Sequence, residues 1–310
     1  VDGLTPLLID CDPGIDDMVA LLLACASPEV ELLGVSTVAG NVGGALTARN
    51  ALDVLALAGR PDVPVAVGAD RPLVVAGLRG HRGAHGDSGL GGARLPVSPA
   101  EPVGVHAVSF LAAAIESADR PVTLVATGPL TNVALLFAVY PAVAARLGRL
   151  VVMGGAAGGG NITPVAEFNV WADPEAAYRV LTAPGLARVV PTTVVGLDVT
   201  LRTLIGPVDA ARLRAAGGAG SLVADAIAEY VHGAPAGGGV PMHDAVAVAE
   251  AVRPGILECR PARVVVDHGL GAERGRTRVD PVGPGGSSGV SVAVGADFAA
   301  VVRFVLDRIV

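Results

Sequence analysis

Leu7-Leu8-Ile9-Asp10-Cys11-Asp12-Pro13-Gly14-Ile15-Asp16-Asp17-Met18 is the stretch whose reading decides the fold. An apolar run stops at four carboxylates packed between Asp10 and Asp17, and a helical pattern from Met18 to Cys25 follows at once. That order reads as strand, tight turn and helix. Residues two apart in a strand share a face, which aligns Asp10 with Asp12. Pro13 and Gly14 bend the chain. Asp16 and Asp17 then open the helix, where unpaired N–H groups and the positive dipole end favour an anion.

A helix cap accounts for one of these acids, with the others as solvated turn residues. Four need more. Two carboxylates about 4 Å apart repel by roughly 4 kcal/mol at an effective dielectric near 20. A shared proton, arginine neighbours or a bound cation would relieve that. No Arg or Lys precedes Arg49, so the local sequence offers no counter-charge. A hard divalent cation, calcium or magnesium, suits such an all-oxygen set.

The rest of the chain bounds the setting. Its 310 residues are 52% hydrophobic and only 3% aromatic, so the core is built from Val, Leu, Ala and Ile. The net charge is −7 and every basic residue is Arg. An acidic chain without a basic run argues against nucleic acid as a partner. Cys11, Cys25 and Cys259 have no metal-site spacing and read as reduced, packed thiols. Neither a signal peptide nor an apolar run of about 18 residues appears, so no membrane partner is expected and the expected compartment is the cytoplasm.

Strand and helix patterns alternate. Strands are expected at 30–38, 63–67, 121–126, 150–153 and 189–195. Helices are expected at 43–59, 105–118, after Pro129, from Asp173 to Leu181, and at 207–215, 220–231, 243–252 and 296–309. Residues 262–294 read as short strands with Gly-rich turns, and 68–102 as a long excursion. The fold class is therefore α/β, an open, mostly parallel central sheet flanked by helices, as a single domain over 1–310. Ligands of such sheets sit beyond the carboxyl ends of the strands. Asp12, Asn41, Thr127 and the stretch after Met153 all fall at those ends.

Three further stretches could carry chemistry. His85-Gly86-Asp87-Ser88-Gly89 lies in the long excursion, as a lid or as plain surface loop. Asn161 to Trp171 contains Glu167 and Asn169, which share a face of an extended segment and suit sugar hydroxyls or a helix cap. His243-Asp244 opens an apolar helix; Asp244 could be a fifth carboxylate for the metal or an N-cap, and His243 a general acid. No strict dinucleotide fingerprint or Walker loop is present.

Together these residues resemble the inosine–uridine preferring nucleoside hydrolases. The likeness runs through Asp10-Cys11-Asp12-Pro13-Gly14-Ile15-Asp16-Asp17, Thr37-Val38-Ala39-Gly40-Asn41, His85-Gly86, Ala126-Thr127-Gly128-Pro129-Leu130-Thr131-Asn132, Val152-Met153-Gly154-Gly155, Ala166-Glu167-Phe168-Asn169 and His243-Asp244. It covers nearly the whole chain. The resemblance implies a Rossmann-related sheet and calcium-dependent cleavage of the N-glycosidic bond of ribonucleosides to free base and ribose. Asp12, Asp17 and Asp244 would give carboxylates to calcium, Thr127 its carbonyl, and Asp10 support from below. Asp16 would hold the ribose 2′-hydroxyl, Asn41 and Asn169 would also hold the ribose, Asn161, Glu167 and Asn169 would reach its 5′ side, and Met153 would add backbone and packing at the sugar. On the lid reading of its loop, His85 would be brought towards the ligand. Relatives of this kind are often dimers or tetramers.

The chemistry follows from an oxocarbenium-like transition state, positive at the anomeric carbon. The acids and the fixed amide oxygens, Asn41 among them, favour that charge. Asp12 is the expected general base for water, and His243 the acid that assists the departing base. Aromatic residues that several relatives carry before the His-Asp pair are replaced here by Gly233 to Gly239, with Tyr230 and His232 the nearest rings. His243 resembles the non-specific and pyrimidine-preferring branch, so pyrimidine preference and broad specificity both stay open. The competing readings are a non-catalytic calcium- or ribose-binding protein on the same fold, and a magnesium-dependent Asp-x-Asp phosphatase. The second lacks the Thr expected after its motif.

Overall fold

A computed structural model describes residues 3–75, 85–182, 189–230, 238–283 and 289–310. His232 to Gly237, and residues 76–84 of the long excursion, lie outside them.

Strand β1 (Thr5–Cys11) is the centre of the molecule, with β2 (Val30–Thr37) on one side and β4 (Thr123–Ala126) on the other. Beyond β2 lies β3 (Val65–Val67). Beyond β4 come β5 (Arg149–Met153), β6 (Thr192–Val195), β11 (Val290–Ala296), β9 (Leu257–Val266) and β10 (Thr277–Pro281). Eight of the nine strands run parallel. β9 alone runs against its neighbours β11 and β10. A two-stranded ribbon pairs β7 (Leu204–Ile205) with β8 (Val240–Pro241).

The alternation along β1 is read by both faces. Leu7, Ile9 and Cys11 join one core with α1 (Ile15–Cys25), α2 (Gly44–Leu57), α10 (Gly218–Tyr230), α11 (His243–Val252) and α12 (Phe298–Ile309). Leu8 joins the other core with α3 (Ala107–Ser117) and α4 (Thr131–Val139). A strand buried on both faces reads as a continuous apolar run, which is why residues 7–9 carry no polar residue.

The chain leaves β1 for β2 and β3 on one side, then crosses back to β4 on the other. The reversal opens a crevice at the carboxyl ends of β1 and β4, where ligands of doubly wound sheets bind. The acidic turn after β1 and the first turn of α1, residues 12–17, sit in it.

The structure differs from the sequence reading at the margins. β9 is a ten-residue strand beginning at Leu257 rather than a short one near 262, because its antiparallel pairing to β11 extends it. The helix opened by Asp173 splits into α7 (Pro174–Ala177) and a wide π turn over Tyr178–Thr182. Three short helices, α5 (Pro141–Ala144), α6 (Phe168–Ala172) and α8 (Leu197–Thr200), are too brief to leave a period in the sequence. The remaining helix is α9 (Pro207–Ala216).

Candidate active site

A cavity of about 940 Å³ opens at the crevice. Asp12, Asp16, Asn41, His85, Thr127, Met153, Asn161, Glu167, Asn169, His243 and Asp244, all singled out from the sequence, line it. Asp10 and Asp17 do not reach the lining; both are fully buried beneath it.

The floor is acidic. Asp16, Asp17 and Asp244 offer ligand oxygens within 4.8 Å of one another, although Asp244 comes from α11, far along the chain. Asp17 is tied from both sides: Gly14 N donates to Oδ2 at 2.9 Å and Thr127 Oγ1 to Oδ1 at 2.8 Å. Asp12 stands beside this group, with Asn41 N donating to Oδ2 at 2.7 Å. Its carboxylate fits because two glycines leave room. A Cβ on Gly40 would lie 2.0 Å from Asp12 Oδ2, and one on Gly128 2.7 Å from Oδ1.

Asp10 has partners of its own. Ser36 Oγ donates to Oδ1 at 2.6 Å and Asn132 Nδ2 at 2.8 Å. Asn132 also bonds Thr37 O and Ala69 N, so one side chain stitches the ends of three strands beneath the acids.

Burial and mutual repulsion raise these acids. Asp17 is pushed up to about 7 by burial and then by Asp16. Asp12 and Asp244 rise well above the carboxylate range, by burial first and then by their acidic neighbours. Asp10 rises to about 6 through burial. Among the described residues no arginine pairs with any of them. Asp16 Oδ1 is buried without a hydrogen-bond partner, with His85 Nδ1 3.9 Å away. An unneutralised, all-oxygen donor set with an orphaned oxygen fits a hard metal ion.

The opposite end of the cavity is amide-rich. Glu167 caps α6, accepting from Asn169 N at 2.9 Å, Val170 N at 3.1 Å and Gly155 N at 2.9 Å. Burial still lifts it to about 7. Asn169 Nδ2 donates to Thr127 O at 2.6 Å and Met153 O at 3.2 Å, linking the ends of β4 and β5. Asn161 Oδ1 accepts from Phe168 N at 2.9 Å.

Two histidines form the remaining wall. His85 Nδ1 accepts from Ile15 N, the first residue of α1, at 3.0 Å, and its ring meets Tyr230 edge-on at 5.3 Å. His243 Nδ1 lies 2.7 Å from Thr200 Oγ1. Burial lowers the pKa of both rings.

Sequence reasoning did not single out Thr200, nor the aromatic pair Phe168 and Trp171, which line the cavity with their rings 6.5 Å apart. Thr200 left no signal because α8 is a single turn. The aromatics lie within the Asn161 to Trp171 stretch, where the polar residues carry the clearer signal.

A doubly wound α/β sheet with an acidic, cation-ready crevice and a facing set of amides defines a protein built to grip a small hydroxyl-rich ligand. The chain belongs to the inosine-uridine preferring nucleoside hydrolase family, whose family model matches residues 7–303. It is 42% identical over 283 residues to a protein of Shewanella sp. (strain MR-7) named pyrimidine-specific ribonucleoside hydrolase RihA, covering 89% of this chain and 86% of that one. A protein of the same name from Klebsiella pneumoniae subsp. pneumoniae is 43% identical over 257 residues, covering 81% of each chain. Among solved structures, a purine-preferring ribonucleoside hydrolase from Gardnerella vaginalis superposes with a TM-score of 0.90 at 34% identity, covering 98% of both chains. A structure described as an inosine-guanosine nucleoside hydrolase gives 0.89 at 29% identity, also over 98% of both. The chain is thus an enzyme of nucleoside breakdown, a hydrolase of ribonucleoside N-glycosidic bonds.

Proposed function

We propose that this hydrolase is calcium-dependent and prefers pyrimidine ribonucleosides, releasing the free base and ribose. The observation that carries the reading is the buried group Asp16, Asp17 and Asp244, with Asp12 beside it and no arginine among the described residues to neutralise it. Asp12, Asp17 and Asp244, with the Thr127 carbonyl, would hold the ion. When bound, calcium supplies the missing positive charge and makes a coordinated water more acidic.

The chain's own residues do the rest. Asp16, with an oxygen lacking a protein partner, takes a ribose hydroxyl. Asn41 and Asn169 fix the sugar from either side, and Glu167 with Asn161 meets its 5′ end. Held this way, the anomeric carbon sits among acids and amide oxygens that favour the positive charge of the transition state. Asp12, anchored through Oδ2, keeps its other oxygen for the proton of the attacking water. His243 assists the departing base. Each such proton transfer is typically worth about 10²–10⁴-fold.

The pyrimidine reading rests on His243 in the base-side wall and on the names of the relatives at 42–43% identity. The neighbours with purine names are less similar, at 34% and 29%. The assembly is proposed to be a homodimer or homotetramer, as the resemblance implies, and sedimentation velocity checks it. No helix among the described residues is long and apolar enough to cross a membrane. The proposed compartment is the cytoplasm.

The test is release of free base from uridine, cytidine, inosine and guanosine, with and without a chelator. Uridine and cytidine are expected to lead, and chelation to abolish turnover until calcium returns. Faster inosine turnover overturns the pyrimidine reading. Turnover indifferent to chelation overturns the calcium reading. No base release from any nucleoside overturns the catalytic reading.

A further inference from the structure

We propose that Thr200 is a positioning residue for base departure: its hydroxyl holds the His243 ring so that Nε2 is the nitrogen presented to the leaving base. The inference rests on the reading of His243 as the group that assists that departure. Thr200 is fully buried on α8, and its Oγ1 lies 2.7 Å from His243 Nδ1. Threonine hydroxyls in helices commonly bond back to the carbonyl four residues earlier. Thr203, just past α8, does so, donating to Val199 O at 3.2 Å. Thr200 instead has the imidazole as its partner.

α8 is itself fastened to the cavity. Leu197 N donates to Gly155 O at 3.0 Å, and the Asp198 carboxylate accepts from Ala157 N at 2.8 Å and Gly158 N at 2.9 Å. These contacts tie the helix to the turn that follows β5. The hydroxyl is therefore the fixed member of the pair and the ring the member it orients.

The bond on one ring nitrogen decides what the other can do. With Nδ1 occupied by Thr200 and His243 lining the cavity, Nε2 is the nitrogen left for a ligand. As the C–N bond breaks, its electron pair leaves with the base, and the ring, holding a proton on each nitrogen at that moment, gives the base its Nε2 proton. The ring is left neutral, with Nδ1–H donated to Thr200 Oγ1. A hydroxyl can both donate and accept, so it keeps hold of the ring in either tautomer.

The experiment compares kcat on uridine with kcat on p-nitrophenyl riboside, whose leaving group needs no proton, in four variants. Thr200→Val removes the hydroxyl at nearly constant shape, and Thr200→Ser keeps it. His243→Ala and the double variant Thr200→Val/His243→Ala complete the cycle. Turnover of the activated substrate shows in the same sample that each variant is folded. The uridine-to-activated ratio is expected to fall about tenfold in Thr200→Val, a part of the effect of a general acid. It should recover in Thr200→Ser and fall no further in the double variant than in His243→Ala. A wild-type ratio in Thr200→Val beside a lowered one in His243→Ala overturns the role of Thr200 alone. An equal loss on both substrates does the same. A wild-type ratio in His243→Ala overturns both readings.

Discussion

The acidic floor and the histidine wall of the cavity are held by very different amounts of structure. On the floor, Asp10 accepts from Ser36 and Asn132, Asp17 from Gly14 and Thr127, and Asp12 from Asn41, while Asn132 also reaches Thr37 O and Ala69 N to tie strand ends together. On the wall, among the described residues, each histidine hangs on one hydrogen bond through Nδ1, to Ile15 N for His85 and Thr200 Oγ1 for His243. The ribose is common to every ribonucleoside, whereas the base is what differs between them. If the floor takes the ribose and the wall the base, as proposed, a floor fixed by many contacts and a wall fixed by few would let one fold serve different bases.

Four variants or conditions would break or sharpen that contrast. Asp12→Ala on the floor removes the proposed base and should cost at least about 10²–10⁴-fold in kcat on every nucleoside alike. Steady-state rates on uridine and inosine check that the loss is uniform. His243→Ala on the wall should cost about 10²-fold on uridine and much less on an activated riboside. Equal losses would erase the distinction between floor and wall.

Gly40→Ala tests how tightly the floor is packed. The added Cβ would lie 2.0 Å from Asp12 Oδ2, so the carboxylate must move. Overpacking of this kind costs about 1–3 kcal/mol, and thermal unfolding alongside kcat should report both losses. The smallest effect is the pH dependence of metal affinity. A ligand carboxylate must be ionised to bind metal, and Asp17 is held at about 7 in the protein alone. Protons therefore compete as pH falls through 7, so calcium affinity should drop towards pH 6 and rise towards pH 8. Calorimetry in buffers of different ionisation heat should register protons released on binding.

The same contrast explains what the sequence disclosed. Most of the floor was legible because four of its acids lie between Asp10 and Asp17, where an apolar strand gives way to an apolar helix; Asp244, from α11, joins them only in the fold. The parallel sheet was legible for a related reason, since strands buried on both faces are continuous apolar runs. Thr127 stood out at the end of a strand, whereas the spacing that paired Glu167 with Asn169 left them equally readable as a helix cap, and Glu167 does cap α6. The wall was hardest to read. His85, Thr200, Tyr230 and His243 are brought together only by tertiary packing, and a one-turn helix such as α8 carries no periodicity. Asp10 and Asp12, aligned by strand alternation, have separate partners, because the strand ends at Cys11 and Asp12 belongs to the turn.

Calorimetric titration of calcium into chelator-treated protein, with uridine hydrolysis followed on the same sample, tests the central claim most directly. One ion per chain should bind and turnover should return in step with occupancy, with both lost in Asp17→Asn. Full uridine turnover before any calcium is added, with no heat of binding, would contradict it.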